Sequence, residues 1–214
     1  MPPAVDTFQT KSSRVYSELR QSITAGEFEP GQHLVRRNLV TRFGVSLSIV
    51  NEALARLVTD GLVETKEMYG TRVVSLDSQS LENEFVLREA IERQSARMLA
   101  EFATDETFKT LLEEAKSIDR WMQEVGHDES RGSLLHLEFH LKLVRSTGYT
   151  LLEETLKRSG IRSLLTTRFI KNLRNPHPVD FHEQLVRTFM QRDPQLADRK
   201  IRDHLHHGRS SAKG

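Results

Sequence analysis

The chain has 214 residues, 37% hydrophobic and 29% charged, with a formal net charge of +1 and no cysteine. That length and apolar content suit one large or two small domains with packed cores. The absence of cysteine excludes a disulfide framework and a thiolate metal site. No run of 18 apolar residues is present, and the first residues lack a charged-then-apolar signal pattern, so no membrane span and a cytoplasmic location are expected.

Residues 1–11 contain two prolines and little pattern and are read as a flexible tail. Val15, Leu19 and Ile23 recur every four residues and predict a helix from about Ser12 to Ala25, ended by Gly26 and followed by a Pro30-Gly31 turn. The stretch from Leu34 to Val58 then reads as two short helices joined by a tight turn. The first spans about Arg36 to Phe43 and is closed by Gly44, since glycine accepts the left-handed conformation that ends many helices. Ser46 stands at the N-cap of the second. Val50, Leu54, Leu57 and Val58 form its apolar stripe, against which Leu39 and Val45 can pack. This is a helix-turn-helix pattern, with Leu47, Ser48 and Asn51 on the open N-terminal face of the second helix, where base edges would be read. A plain helical hairpin in a core has the same pattern.

The next residues separate the two. Leu62 to Thr65 and Thr71 to Val74 are short strand-like runs, and the segment between them ends in Gly70, so a β-hairpin is expected directly after the helix pair. Such a hairpin is a wing, whose backbone and Arg72 can lie on phosphates. Residues 1–75 carry nine Lys and Arg against eight Asp and Glu, and the remainder is balanced. The basic charge is therefore local: Arg36, Arg37 and Arg42 on the first helix of the motif and Arg56 on the second. Clustering matters because charges act on phosphates within a Debye length of about 8 Å. Together these residues predict a winged helix-turn-helix over residues 12–75.

A polar connector is read over residues 76–80, with Asp77 or Ser78 capping the next helix. Beyond it only helical periods occur, and six helices are expected. They run from about Leu81 to Phe102, from the Thr104 cap to Gly126, and from Ser130 to Ser146. Three more run from Leu151 to Asn172, from Val179 to Gln191, and from Pro194 to His207, with Pro176 and Pro178 as a break. The predicted class is mainly α: a winged helix-turn-helix followed by an all-α bundle over residues 81–208. Four of the nine histidines fall at bundle positions that can converge. His136 and His140 are four apart on one helix face, and His182 and His204 lie on the last two helices. Such a set can supply the nitrogen donors of a divalent transition metal. Scattered, solvated histidines are the alternative, and His206 and His207 fit it.

The N-terminal segment is similar to the winged helix-turn-helix of the GntR family of bacterial transcription regulators. The matching residues include Leu19-Arg20, Pro30-Gly31, Arg37, Leu39, Gly44-Val45-Ser46, Glu52-Ala53-Leu54, Arg56-Leu57, Gly61-Leu62-Val63, Gly70 and Val73. The helical part resembles the FCD-type sensing domain of the FadR-like branch through Leu87-Arg88-Glu89-Ala90, Glu92, Phe139-His140, Phe181-His182-Glu183, Asp193, Ala197 and His204-Leu205. The resemblance implies a homodimeric regulator that binds double-stranded, palindromic operator DNA and is tuned by a small organic acid beside a metal ion. It makes His140, His182 and His204 metal ligands and places His136 where the family usually has aspartate. Four neutral imidazoles favour zinc or nickel over harder ions. Arg88 is implied as the partner of an effector carboxylate. Arginine is usual in the family at the positions of Leu47 and Asn51, and Arg36 replaces a common acidic residue. A half-site less rich in guanine is expected, with Asn51 reading adenine and Leu47 touching a thymine methyl. Two alternatives remain beside this one: a metal-dependent hydrolase built on the histidine cluster, with Glu138 and Glu183 adjoining the ligands but no general base at a recognisable offset, and a sensor that has lost specific DNA binding and acts through a protein partner.

Overall fold

The computed structural model describes residues 10–125, 129–167 and 178–209. The expected tail, Gly126 as a helix end, Pro176 and the expected helical residues 168–172 lie outside them. The chain divides into two compact units, Met1–Ser75 and Leu76–Gly214.

The first unit is built on three helices, α1 (Lys11–Ala25), α2 (Arg36–Phe43) and α3 (Leu47–Thr59). Val15, Leu19 and Ile23 of α1 are buried, as are Val50, Ala53, Leu54 and Leu57 of α3. Burial of each large aliphatic side chain stabilises by about 1.5–3 kcal/mol, so the α1–α3 contact holds the unit together. Gly44 closes α2 with φ +62, a conformation that β-carbon-bearing residues rarely adopt. Ser46 occupies the N-cap of α3, but its hydroxyl meets that of Ser48 at 3.1 Å and makes no bond to a backbone amide. The expected side-chain cap is therefore absent there.

Strands β1 (Val63–Lys66) and β2 (Gly70–Val73) pair antiparallel, from Val63 opposite Val73 to Lys66 opposite Gly70. Each strand sits one residue from its sequence-based position, displaced toward the tip, because the turn tightens around Met68, whose φ is +64. Residues 32–34 bond to β2 through Leu34 N–H to Thr71 O (2.8 Å) and Val73 N–H to Gln32 O (2.9 Å). The wing is thereby tied to the entry of α2.

The second unit is all-helical among its described residues: α4 (Ser78–Phe102), α5 (Asp105–Val125), α6 (Glu129–Arg145), α7 (Thr150–Thr167), α8 (Phe181–Phe189) and α9 (Pro194–Arg209). Helix α4 begins at Ser78, so three of the polar residues read as a connector form its first turn. The Asp77 carboxylate accepts from Ser80 N–H at 2.7 Å and fixes that start. Asp193 caps α9 in the same way, accepting from Gln195 and Leu196 N–H at 2.9 and 3.0 Å. Pro194 takes the first helical position, where a missing N–H costs nothing. The largest core cluster includes Leu99, Phe108, Leu111, Leu143, Leu185, Phe189 and Ile201, drawn from α4, α5, α6, α8 and α9. Helix α4 packs on α9, α7 and α6, so its inner face touches most of the bundle.

Candidate functional site

Inside this bundle, His136 and His140 project from one face of α6, His182 from the first turn of α8 and His204 from α9. One ring nitrogen from each of the four lies within 4.8 Å of the others. His140 Nε2 is 3.2 Å from both His136 Nε2 and His204 Nε2. His140, His182 and His204 are buried and His136 is half-buried. Aromatic rings fix their planes: Phe181 stacks on His204 with centroids 4.0 Å apart, and Phe139 meets His182 edge-on at 5.0 Å.

Two carboxylates set the tautomers. His140 Nδ1 bonds to Glu92 Oε2, and His182 Nδ1 bonds to Asp119 Oδ1 at 2.6 Å. A carboxylate accepts from a proton-bearing nitrogen, so each Nδ1 carries a hydrogen and each Nε2 is the atom left to face the cluster. Burial holds the His136 ring well below its ordinary pKa, and the neighbouring His140 adds to this. Burial likewise outweighs Glu92 and brings His140 down to about 4. Unprotonated imidazole is the form that binds a metal. Burial alone would raise Glu92, but the Arg88 charge and the hydrogen bonds from His140 and Arg88 overcome it and hold its carboxyl at about 2. The donor set thus fits a divalent late transition ion: four converging imidazole nitrogens, three from buried residues and two oriented by outer carboxylates.

Arg88 stands one helical turn before Glu92 on α4 and donates from Nε to Glu92 Oε1. Its Nη2 is buried and has no hydrogen-bond partner. A guanidinium nitrogen in that state is a donor available to an entering carboxylate. Glu138 is exposed, and Glu183 holds Arg187 at 2.6 Å, so each carboxylate next to a ligand in sequence is solvated or already paired.

The expected DNA-facing residues separate into two groups. Leu47, Ser48, Asn51, Ser46 and Arg37 are exposed, Leu47 with 52% of its surface open. Arg36 donates to Asn51 Oδ1 at 2.9 Å and to Thr71 Oγ1 at 3.1 Å. The remaining cations have partners within the unit. Arg42 donates to Glu27 and Ser22 and lies against the Phe28 and Phe43 rings. Arg56 lies 4.0 Å over the Tyr16 ring, and Arg72 is held by Glu64 at 2.6 Å. Gly70, with φ +76, closes the wing turn behind Met68 and Tyr69, both highly exposed.

Sequence reasoning missed Asp119 altogether and gave Glu92 no role. Their partners are 63 and 48 residues away along the chain, so no local spacing marks them. Glu92 did carry signals, as an acidic residue at an apolar helix position and as a mark of the family resemblance, but neither pointed to His140.

Residues 11–73 match the gntR family of bacterial regulatory proteins, and residues 84–207 match the FCD domain. The chain is 22% identical over 196 residues to the HTH-type transcriptional regulator YdhC of Bacillus subtilis, covering 90% of this chain and 86% of that one. It is 25% identical over 211 residues to the HTH-type transcriptional repressor GlaR of Escherichia coli, covering 89% and 90%. Among solved structures, Escherichia coli McbR/YncC superposes with a TM-score of 0.71 at 19% identity, over 92% of this chain and 94% of that one. A GntR-type regulator from Rhodococcus sp. RHA1 gives 0.72 at 18% identity, over 95% and 96%. These two share the fold. The matched domains and relatives are those of transcriptional regulators, a non-enzyme class, so the hydrolase alternative is set aside. The chain belongs to the GntR family of DNA-binding transcription regulators and carries an FCD domain as its helical part.

Proposed function

We propose that this regulator is a repressor whose helical unit holds a divalent metal, zinc or nickel by preference, on His136, His140, His182 and His204. The convergence of four ring nitrogens within 4.8 Å carries this reading. The metal, when bound, supplies a Lewis-acidic centre for a small organic acid. Arg88 orients the acid's carboxylate through its unpartnered Nη2. Glu92 and Asp119 keep the protons of His140 and His182 away from the metal side. The operator is double-stranded DNA met by the exposed start of α3, with Ser46, Leu47, Ser48 and Asn51 at the base edges. Arg37 and the wing backbone around Gly70 lie at phosphates. Arg42, Arg56 and Arg72 shape the unit through their internal partners Glu27, Tyr16 and Glu64. The working form is a homodimer on a palindromic site, its two reading helices about one DNA turn apart. Acid binding changes DNA affinity by a coupling of ~1–3 kcal/mol.

Calorimetric titration of zinc into the chelator-treated full chain tests the metal reading. One ion per chain is expected, with His140→Ala abolishing binding while the far-ultraviolet spectrum stays helical. Absence of saturable zinc and nickel binding by the folded chain would overturn it.

A further inference from the structure

The open face of α3 carries no cation in its first two turns: the exposed side chains there are Leu47, Ser48, Asn51 and the acidic Glu52. Arg56 is the one cation on the helix, and it lies over Tyr16 and donates to Ser13. A base edge rich in acceptors would meet no charged donor from α3 itself. Arg36 brings one from outside the helix. From the first residue of α2 it reaches across to α3, donating from Nε to Asn51 Oδ1 at 2.9 Å, while its Nη2 donates to Thr71 Oγ1 on β2 at 3.1 Å. Thr71 is buried and its hydroxyl also meets Thr65 at 3.0 Å, so the anchor on the wing is fixed.

Donor and acceptor chemistry then decides what this pair can read. Guanidinium has five N–H groups and no acceptor, so the Asn51 atom facing it is the amide oxygen. One lone pair of that oxygen is taken by Arg36, and the cation sits beside the other. Adenine reading by asparagine needs the oxygen to accept from N6 while the amide nitrogen donates to N7, which would bring the adenine N6 donor up against the guanidinium donors. What Asn51 and Arg36 together offer is an excess of donors, the Asn51 amide NH2 and the remaining guanidinium N–H groups, against one lone pair on the amide oxygen. Guanine presents two acceptors, N7 and O6, whereas adenine sets an N6 donor beside N7.

We infer that Arg36 and Asn51 form one donor-rich reading unit that selects guanine, with Arg36 as the specificity-determining residue delivered from α2 and braced by the wing. This departs from the expectation that Asn51 reads adenine. It rests on the proposed role of the α3 face as the DNA-reading face.

Binding-site selection from randomised duplexes, with the full chain and with Arg36→Ala and Arg36→Lys, tests it. The unsubstituted chain should select a fixed guanine at one position of its site. Arg36→Ala should relax that position about ten-fold or more and leave the other positions unchanged. If Arg36→Ala melts too early to use, Arg36→Lys gives the same readout, because it keeps the charge and loses the fork. A uniform loss of affinity across all sequences, with the salt dependence falling by about one phosphate contact, would overturn the inference and leave Arg36 on the backbone. An adenine selected at that position and kept in Arg36→Ala would also overturn it. Unselective binding by the unsubstituted chain would instead overturn the DNA-reading face, and this inference with it.

Discussion

Glu92 places one oxygen on Arg88 and the other on His140 while only 1% of its side chain is exposed. A single carboxylate therefore ties the proposed effector anchor to a proposed metal ligand. Glu92→Gln leaves the Arg88 cation without its counter-charge in a mostly buried position, and breaking such a pair costs about 3–5 kcal/mol. The expected result is a chain less stable in urea by about 3 kcal/mol that binds zinc some ten- to a hundred-fold more weakly. Unchanged zinc affinity would show that Glu92 does not position His140. Arg88→Ala separates the two roles differently. It should retain metal binding within a few-fold and lose the response of DNA binding to organic acids, read by anisotropy with and without acid. An acid response equal to that of the unsubstituted chain would remove Arg88 from the effector site.

Asp119 works at the scale of the element. Helix α8 has Asp180 at its N-cap, but Asp180 makes no side-chain cap bond. Asp119 of α5 does this instead, accepting from His182 N–H at 3.1 Å and Glu183 N–H at 2.9 Å while holding the His182 ring. Cap and ligand orienter are thus one residue, supplied by another helix. Asp119→Ala should cost about 1–2 kcal/mol from the lost cap and weaken zinc binding as well. A stability loss with zinc affinity untouched would assign Asp119 to capping alone. Along the first unit, Leu57→Ala should destabilise by about 2–5 kcal/mol, because Leu57 is fully buried in the α1–α3 contact. A chemical melt showing a loss below about 1 kcal/mol would contradict that packing. These elements also show how far local pattern reaches. The apolar stripes of α1 and α3 and the Asp193-Pro194 start of α9 were legible, because each depends on residues within a few positions of one another. The Asp77 cap of α4 was legible, but the polar first turn after it, Ser78-Gln79-Ser80, carries no apolar period and so read as connector. The four histidines were legible as a set through the i, i+4 pair and the family resemblance. Glu92 and Asp119 as their supports were not, since tertiary packing alone brings them near. Arg36 was read correctly as a cation in the motif, but its turn toward Asn51 arises from the α2–α3 geometry.

At the scale of the whole molecule, the proposed metal site links metal binding to folding. An ion held by the proposed ligands on α6, α8 and α9 would bind the folded bundle and not the open chain. A free zinc concentration about a hundred times the dissociation constant should raise the melting temperature of the helical unit by about 5–10 °C, and a chelator should reverse the rise. Identical melts with zinc and with chelator would contradict a site built across those helices. The proposed function requires that this unit and the winged helix-turn-helix act on one DNA-binding equilibrium. No helix among the described residues is long and apolar enough to cross a membrane.

The most direct test of that coupling is fluorescence anisotropy of the full chain on a duplex carrying its selected site and on a scrambled duplex, at physiological salt. Each would be measured for the chelator-treated, the zinc-loaded, and the zinc-and-acid-loaded chain across a panel of small carboxylates. A preference of about a hundred-fold or greater for the selected site is predicted, with affinity changing by roughly 5- to 150-fold on loading with metal and one of the acids. Equal affinity for both duplexes, or a preference that no metal or acid alters, would contradict a DNA-binding regulator governed by its histidine-lined helical unit.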